Sequence, residues 1–333
     1  MRFTRFDVAI VLFAVPAGLM VVGLVITQGR PVALMALGLL AALVIVRRQP
    51  MVGGVLIATT SVVLRLAYAG IGYSTQVDHA RTAAERALSG LSPYGVLLPS
   101  AGAPPEPYTY GPLALIWWQP GVAVEFAAAV GVMALLVWTR SWLTLALYAG
   151  LPFAVFLTTT GVNDYSPGFL IASALLILKS HPLLGAGLLT VAGAIKPYAV
   201  AWFLPVIGYS GWGAAAVLVG GTLVLWSPLI AWGPMGFVRS IQLHAQVHPE
   251  PANALNLPLL RWLAVPIAAF GLTVRRWDRM VLLGSGAFVA FLFLDRWASL
   301  GYWLAVMPIA GIALEQRFNV NASQPGAPMR HDS

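Results

Sequence analysis

Residues 75–113 read TQVDHARTAAERALSGLSPYGVLLPSAGAPPEPYTYGPL, the longest polar interruption in an otherwise apolar chain. The stretch carries Asp78, Glu85 and Glu106, three of the chain's 11 acidic residues. Val77, Ala80, Ala83, Ala84, Ala87 and Leu88 recur at helical spacing, and Asp78, Arg81, Glu85 and Arg86 take the other positions. This pattern predicts a short amphipathic helix on a membrane surface. Gly90 can end it, and Pro93 prevents its return. Asp78 also has a structural reading, as the N3 residue of a variant capping box with Thr75 at the N-cap.

Outward from this stretch the chain is oily. Of 333 residues, 59% are hydrophobic and 9% charged, and mean hydropathy is +0.83. Soluble domains carry roughly 25% charged residues. The expectation is an all-α, polytopic membrane protein with about twelve spans, each needing about 20 apolar residues. They form one transmembrane domain over residues 1–314, followed by a disordered cytoplasmic tail over 315–333.

Segments at 8–27, 31–46, 51–73, 112–138, 141–160 and 165–178 supply the first spans. The stretch 182–209 is read as two halves hinged at Lys196-Pro197, because the residue before a proline disfavours helix. Segments 211–232, 255–273, 280–294 and 298–314 complete the layout. It places both termini in the cytoplasm of a plasma-membrane protein, with 74–111 and 233–254 as external polar loops. Basic residues then gather inside. The net charge of +8 is thereby accounted for, and no nucleic-acid partner is expected. The absence of cysteine excludes disulfides and thiolate metal sites. The two charges left inside spans, Arg65 and Glu125, are expected to pair with each other.

The order Asp78, Gly90, Ser92-Pro93-Tyr94, then Tyr108, Tyr110, Pro112 and Leu113 resembles the catalytic loop of membrane glycosyltransferases of the GT-C fold. The pattern is similar to that of glycosyltransferase family 87, the polyprenyl-phosphate-mannose-dependent α-mannosyltransferases, and of the GPI mannosyltransferases. Weaker likenesses follow at Gly161-Val162-Asn163-Asp164, at Ala194-Ile195-Lys196-Pro197-Tyr198, and at Asn253-Ala254-Leu255-Asn256, where Asn256 stands for the family's serine. In that family the acidic loop often follows the first helix, whereas here two further helices precede it.

The resemblance implies transfer of a sugar, mannose or a similar hexose, from a polyprenyl-phosphate donor to a lipid or glycan acceptor at the external face. Asp78 would be the general base. A single displacement inverts the anomeric centre, and a two-carboxylate retaining mechanism stays open because Glu85 lies nearby. There is no Asp-x-Asp motif, so no metal-bound diphosphate site, metal or cofactor is expected.

Candidate cations for the departing phosphate are Lys196, Arg239, His244, His248 and Arg261. Lys196 is equally a snorkelling helix-end lysine. His244 and His248 are four apart, a weak zinc spacing and as readily two loop histidines. Candidate acceptor or sugar contacts are Glu85, Tyr94, Tyr110, Asn163 and Asp164, although Asp164 can also cap the next helix. The rival class is a transporter or lipid-carrier flippase, whose polar residues should sit at mid-membrane on broken helices.

Overall fold

The computed structural model describes residues 49–67, 75–100, 103–150, 154, 157, 162–248, 257–295 and 301–318. In chain order the elements are α1 (Pro50–Ala67), α2 (Thr75–Leu88), β1 (Leu97–Ser100), β2 (Ala103–Pro107), α3 (Ala114–Trp117), α4 (Val122–Trp138), α5 (Trp142–Gly150) and α6 (Tyr165–Ile177). They continue with α7 (Pro182–Ile195), α8 (Phe203–Ser210), α9 (Trp212–Trp226), α10 (Pro228–Trp232), α11 (Pro234–Val247), α12 (Ala264–Phe270), α13 (Trp277–Phe293) and α14 (Gly301–Arg317). Short 3-10 turns lie at Pro197–Trp202, Leu260–Leu263 and Gly271–Thr273.

Helix α6 is the centre of the packing. It is apolar on every side and lies against α4, α7 and α14, as a fully enclosed helix must. At Gly168 a Cβ would come 2.7 Å from the Ala305 Cα, so α14 crosses α6 with no room for a side chain.

The twelve-span layout does not hold. Among the described residues a single helical stretch, Trp212–Trp232, is long and apolar enough to cross a bilayer. The other apolar helices are too short: α4 has 17 residues, α6 13 and α7 14. At 1.5 Å per residue they reach about 20–25 Å, against a hydrocarbon core of about 30 Å. Backbone breaks set these lengths. Gly121 (φ 74), a conformation that favours glycine, restarts the chain before α4, and the extended Lys196 before Pro197 ends α7. The segments 8–27 and 31–46, most of 151–161 and the tail from 319 lie outside the described residues.

Other expectations fare differently. The hinge is present: α7 stops at Ile195, and Lys196 is extended (φ −130, ψ 121) before Pro197. Helix α2 forms as its periodicity demands, burying Val77, Ala80, Ala83 and Ala84, though Leu88 is exposed. The all-α reading missed the β1–β2 hairpin, which pairs antiparallel with Leu97 opposite Pro107 and Leu98 opposite Glu106. The polar loop expected at 233–254 is mostly helix α11, opened by Gly233 and by Pro234 in the first turn.

Candidate functional site

The 75–113 stretch folds into a clasp. Past α2, Gly90 (φ 76) turns the chain, and the Arg86 Nε donates to the Ser92 carbonyl at 2.7 Å. The Ser92 hydroxyl accepts from the Tyr94 amide at 3.2 Å. The Tyr94 hydroxyl donates to the Tyr110 carbonyl at 3.1 Å, and that of Tyr108 to the Gly111 carbonyl at 3.2 Å. The free edge of the clasp then docks on the broken end of α7. Gly111 N–H donates to the Ile195 carbonyl at 3.0 Å, and Leu113 N–H to the Ala194 carbonyl at 3.1 Å. These two carbonyls belong to the last turn of a helix and have no partner within it. Position 111 must be glycine, because a Cβ there would run into the Ala194 carbonyl.

Docking assembles a buried polar cluster. Lys196 Nζ lies 2.6 Å from Asp164 Oδ1, and both side chains are almost fully buried. The Tyr198 hydroxyl donates to the same oxygen at 3.2 Å. Lys196 also sits over the Tyr110 and Tyr198 rings, at 5.3 and 5.6 Å from their centroids. Burial raises the Tyr110 phenol above its ordinary range, so it stays protonated and able to donate. Beside it, Asn163 is 0% exposed, and its side-chain amide lies within hydrogen-bonding reach of the Tyr110 phenol. Its backbone N–H donates to the Gln76 side chain at 3.3 Å, which ties the start of α2 to this cluster.

The turn 163–166 is held from below by Glu125. Its carboxylate accepts from Trp118 Nε1 at 2.6 Å, from the Tyr165 amide at 2.8 Å and from the Ser166 amide at 3.0 Å, and also from the Ser166 hydroxyl. A carboxylate at the start of α6 complements the helix dipole. Glu125 therefore does not pair with Arg65, which donates to Ser61 on its own helix. Asp164 occupies the N-cap position of α6 without capping it by its side chain; its oxygen is turned to Lys196 and Tyr198.

A second cluster lies where β2 meets α11. His248 Nε2 is 3.5 Å from Glu106 Oε1, and the His244 and His248 rings are 4.7 Å apart. His79 of α2 packs near Tyr108, 4% exposed, with its ring toward the Pro107 backbone. Among the described residues no group of three or more His, Asp or Glu side chains has metal-holding geometry.

Burial lowers the His79 pKa from 6.5, against the pull of Glu106, and burial followed by His248 lowers that of His244. The unfolded chain then binds more protons than the folded one just below pH 6.5. Stability is expected to fall as pH drops from about 6.5 toward the lowered native values. Denaturant melts between about pH 8 and about pH 5 check this. His79→Gln should flatten part of the slope, and an unchanged slope would count against it.

The remaining candidates scatter. Asp78 is half-buried and Glu85 exposed, both away from the buried Ala80 and Ala83 side of α2. Tyr94 is 3% exposed and enclosed by Tyr108, Trp232 and Phe237, a packing position. Arg239 is exposed on α11. Arg261 is bound to Asp295 at 2.8 Å. Sequence reasoning missed Tyr198, Tyr302 and Glu125. Tyr302 packs on Tyr198 at 6.0 Å between centroids, beside Gly301, whose backbone abuts the Asp164 carboxylate. Tyr198 was signalled by the Lys-Pro-Tyr run; Tyr302 had no signal. No family model, curated protein or solved structure matches this chain.

Proposed function

We propose that this chain is a membrane glycosyltransferase that moves a sugar, mannose or a similar hexose, from a polyprenyl-phosphate donor to a lipid or glycan acceptor. The observation that carries the reading is the Asn163 amide. It is fully buried, lies within hydrogen-bonding reach of the Tyr110 phenol, and leaves most of its donor and acceptor positions unused beside a buried cation. Leaving buried hydrogen-bonding capacity unused costs about 1–3 kcal/mol, and an amide with spare donor and acceptor positions next to a cation is suited to a polar ligand. A donor and acceptor amide among tyrosine rings suits sugar hydroxyls. Exposed apolar side chains along Trp212–Trp232, including Trp212, Leu223, Val224 and Ile230, support contact with lipid.

In this reading an acceptor hydroxyl attacks the anomeric carbon. The carbon–oxygen bond to the phosphate breaks, and the hydroxyl proton passes to Asp78. The phosphate leaves with its polyprenyl chain, its charge met by Arg239, with His244 and His248 offering ring N–H donors. Lys196 holds Asp164 and keeps donors to spare, so it positions the pocket. The site lies at one end of the bundle, on the turn before α6 and the clasp over it, which favours an enzyme over the flippase.

The test is transfer of label from a radiolabelled polyprenyl-phosphate mannose by the purified chain in detergent. Turnover is expected to persist in excess chelator and to be absent with nucleotide sugars. Use of a nucleotide sugar in lipid-free conditions would refute the donor assignment. Asn163→Ala should keep the fold, because it removes an amide that uses little of its hydrogen-bonding capacity, while transfer falls roughly 10- to 100-fold. Wild-type rates in that variant would remove the site from this pocket.

A further inference from the structure

Helix α6 runs from the Asp164 turn to a second, chemically different end. There Trp277 Nε1 donates to the Leu175 carbonyl at 2.6 Å, which brings the start of α13 against the last turns of α6. A cleft of about 550 Å³ opens beside it, lined by Arg275, Arg276, Arg279 and Arg317 over apolar groups that include Val274 and Leu283. Its volume falls within the range of small-molecule sites.

The charges there are poorly balanced by the protein. Asp278 takes Arg276 at 3.1 Å and reaches Arg317 only at 4.0 Å. Arg275 donates to the Gly208 carbonyl. Arg279 is exposed and has no partner among the described residues. Glu315 is turned inward, accepting from the Thr144 amide at 2.7 Å. Lys179 adds a further cation next door, 3.7 Å from the Trp277 ring. Helix α13 starts at Arg276 with no side-chain cap, so its first-turn N–H groups add partial positive charge.

Four guanidiniums facing one carboxylate call for an anion, and their planar forks suit phosphate. The apolar floor, and Phe270 at 63% exposure on the lining, call for hydrocarbon next to that anion. We infer that this cleft binds the headgroup of an anionic phospholipid, with the first methylenes of its chains on the apolar floor. The site is separate from the Asn163 pocket, and its existence does not depend on glycosyl transfer.

The experiment is titration of the full chain, in neutral detergent, with short-chain phosphatidylglycerol, with phosphatidylcholine of the same chains, and with inorganic phosphate. Intrinsic tryptophan fluorescence and thermal melting are the readouts. Phosphatidylglycerol should bind saturably and raise the melting midpoint, phosphatidylcholine should do neither, and inorganic phosphate should fail to displace the lipid. Arg279→Gln, which breaks no hydrogen bond or ion pair among the described residues, should weaken binding about fivefold, and Arg276→Gln with Arg279→Gln roughly twentyfold or more. Arg81→Gln on α2 should change nothing. Equal binding of the two lipids overturns the inference, as does wild-type affinity in the double variant. Full displacement by inorganic phosphate alone overturns the lipid assignment.

Discussion

Asp78→Asn is expected to give a folded protein whose sugar transfer is slower by roughly 10²–10⁴-fold, about 3–5 kcal/mol of barrier. Asparagine keeps the shape and much of the hydrogen bonding of aspartate but cannot take the acceptor's proton. Asp78 sits in the first turn of α2, two residues past Gln76, whose side chain accepts from the Asn163 backbone N–H. If Asp78 merely supports the helix start, the substitution costs about 1 kcal/mol or less of stability and the rate stays near normal. Glu85→Gln is the control: the residue is exposed about two turns further along the same side of the helix, and a smaller effect is expected. Near-wild-type turnover in a folded Asp78→Asn protein would falsify the assignment.

Lys196→Ala is expected to damage the fold itself. The lysine is 5% exposed and its partner Asp164 1%, so the substitution strands a buried carboxylate. Breaking such a pair typically costs about 3–5 kcal/mol. Replacing both partners with apolar residues, Lys196→Met with Asp164→Leu, should recover much of that stability without recovering transfer. The urea midpoint is the measurement. A Lys196→Ala protein with a wild-type midpoint would show the pair to be structurally idle. Loss of transfer in Lys196→Ala alone therefore says little about phosphate binding.

Local features of this chain were legible wherever a local rule decided them. The α2 helix followed from the spacing of Val77, Ala80, Ala83 and Ala84, and its end from Gly90. The break after Ile195 followed from Pro197. The span count failed because hydropathy records composition and is blind to the backbone breaks that cut apolar runs short. Residues 233–247 read as a loop because they are polar, yet Pro234 is a helix-opening residue. Glu125 was assigned to Arg65 because charge counting looks for charges. Its true partners are neutral N–H and O–H groups of Trp118, Tyr165 and Ser166, which no count of charges reveals. The candidate site was visible as separate short motifs, but not the way they meet. That meeting depends on which face of α7's end accepts the clasp, a tertiary fact.

The two amide-to-carbonyl bonds from Gly111 and Leu113 to Ile195 and Ala194 also set an order of assembly. The partners lie on the order of 80 residues apart, so closing this loop costs entropy that local contacts do not offset. During synthesis the clasp leaves the ribosome long before the carbonyls it needs. Until α7 has been made and has stopped at Pro197, the 108–113 segment has nothing to latch onto. The pocket is therefore a late product of folding, and a nascent or truncated chain ending before α7 exposes that segment to proteases that the finished protein resists.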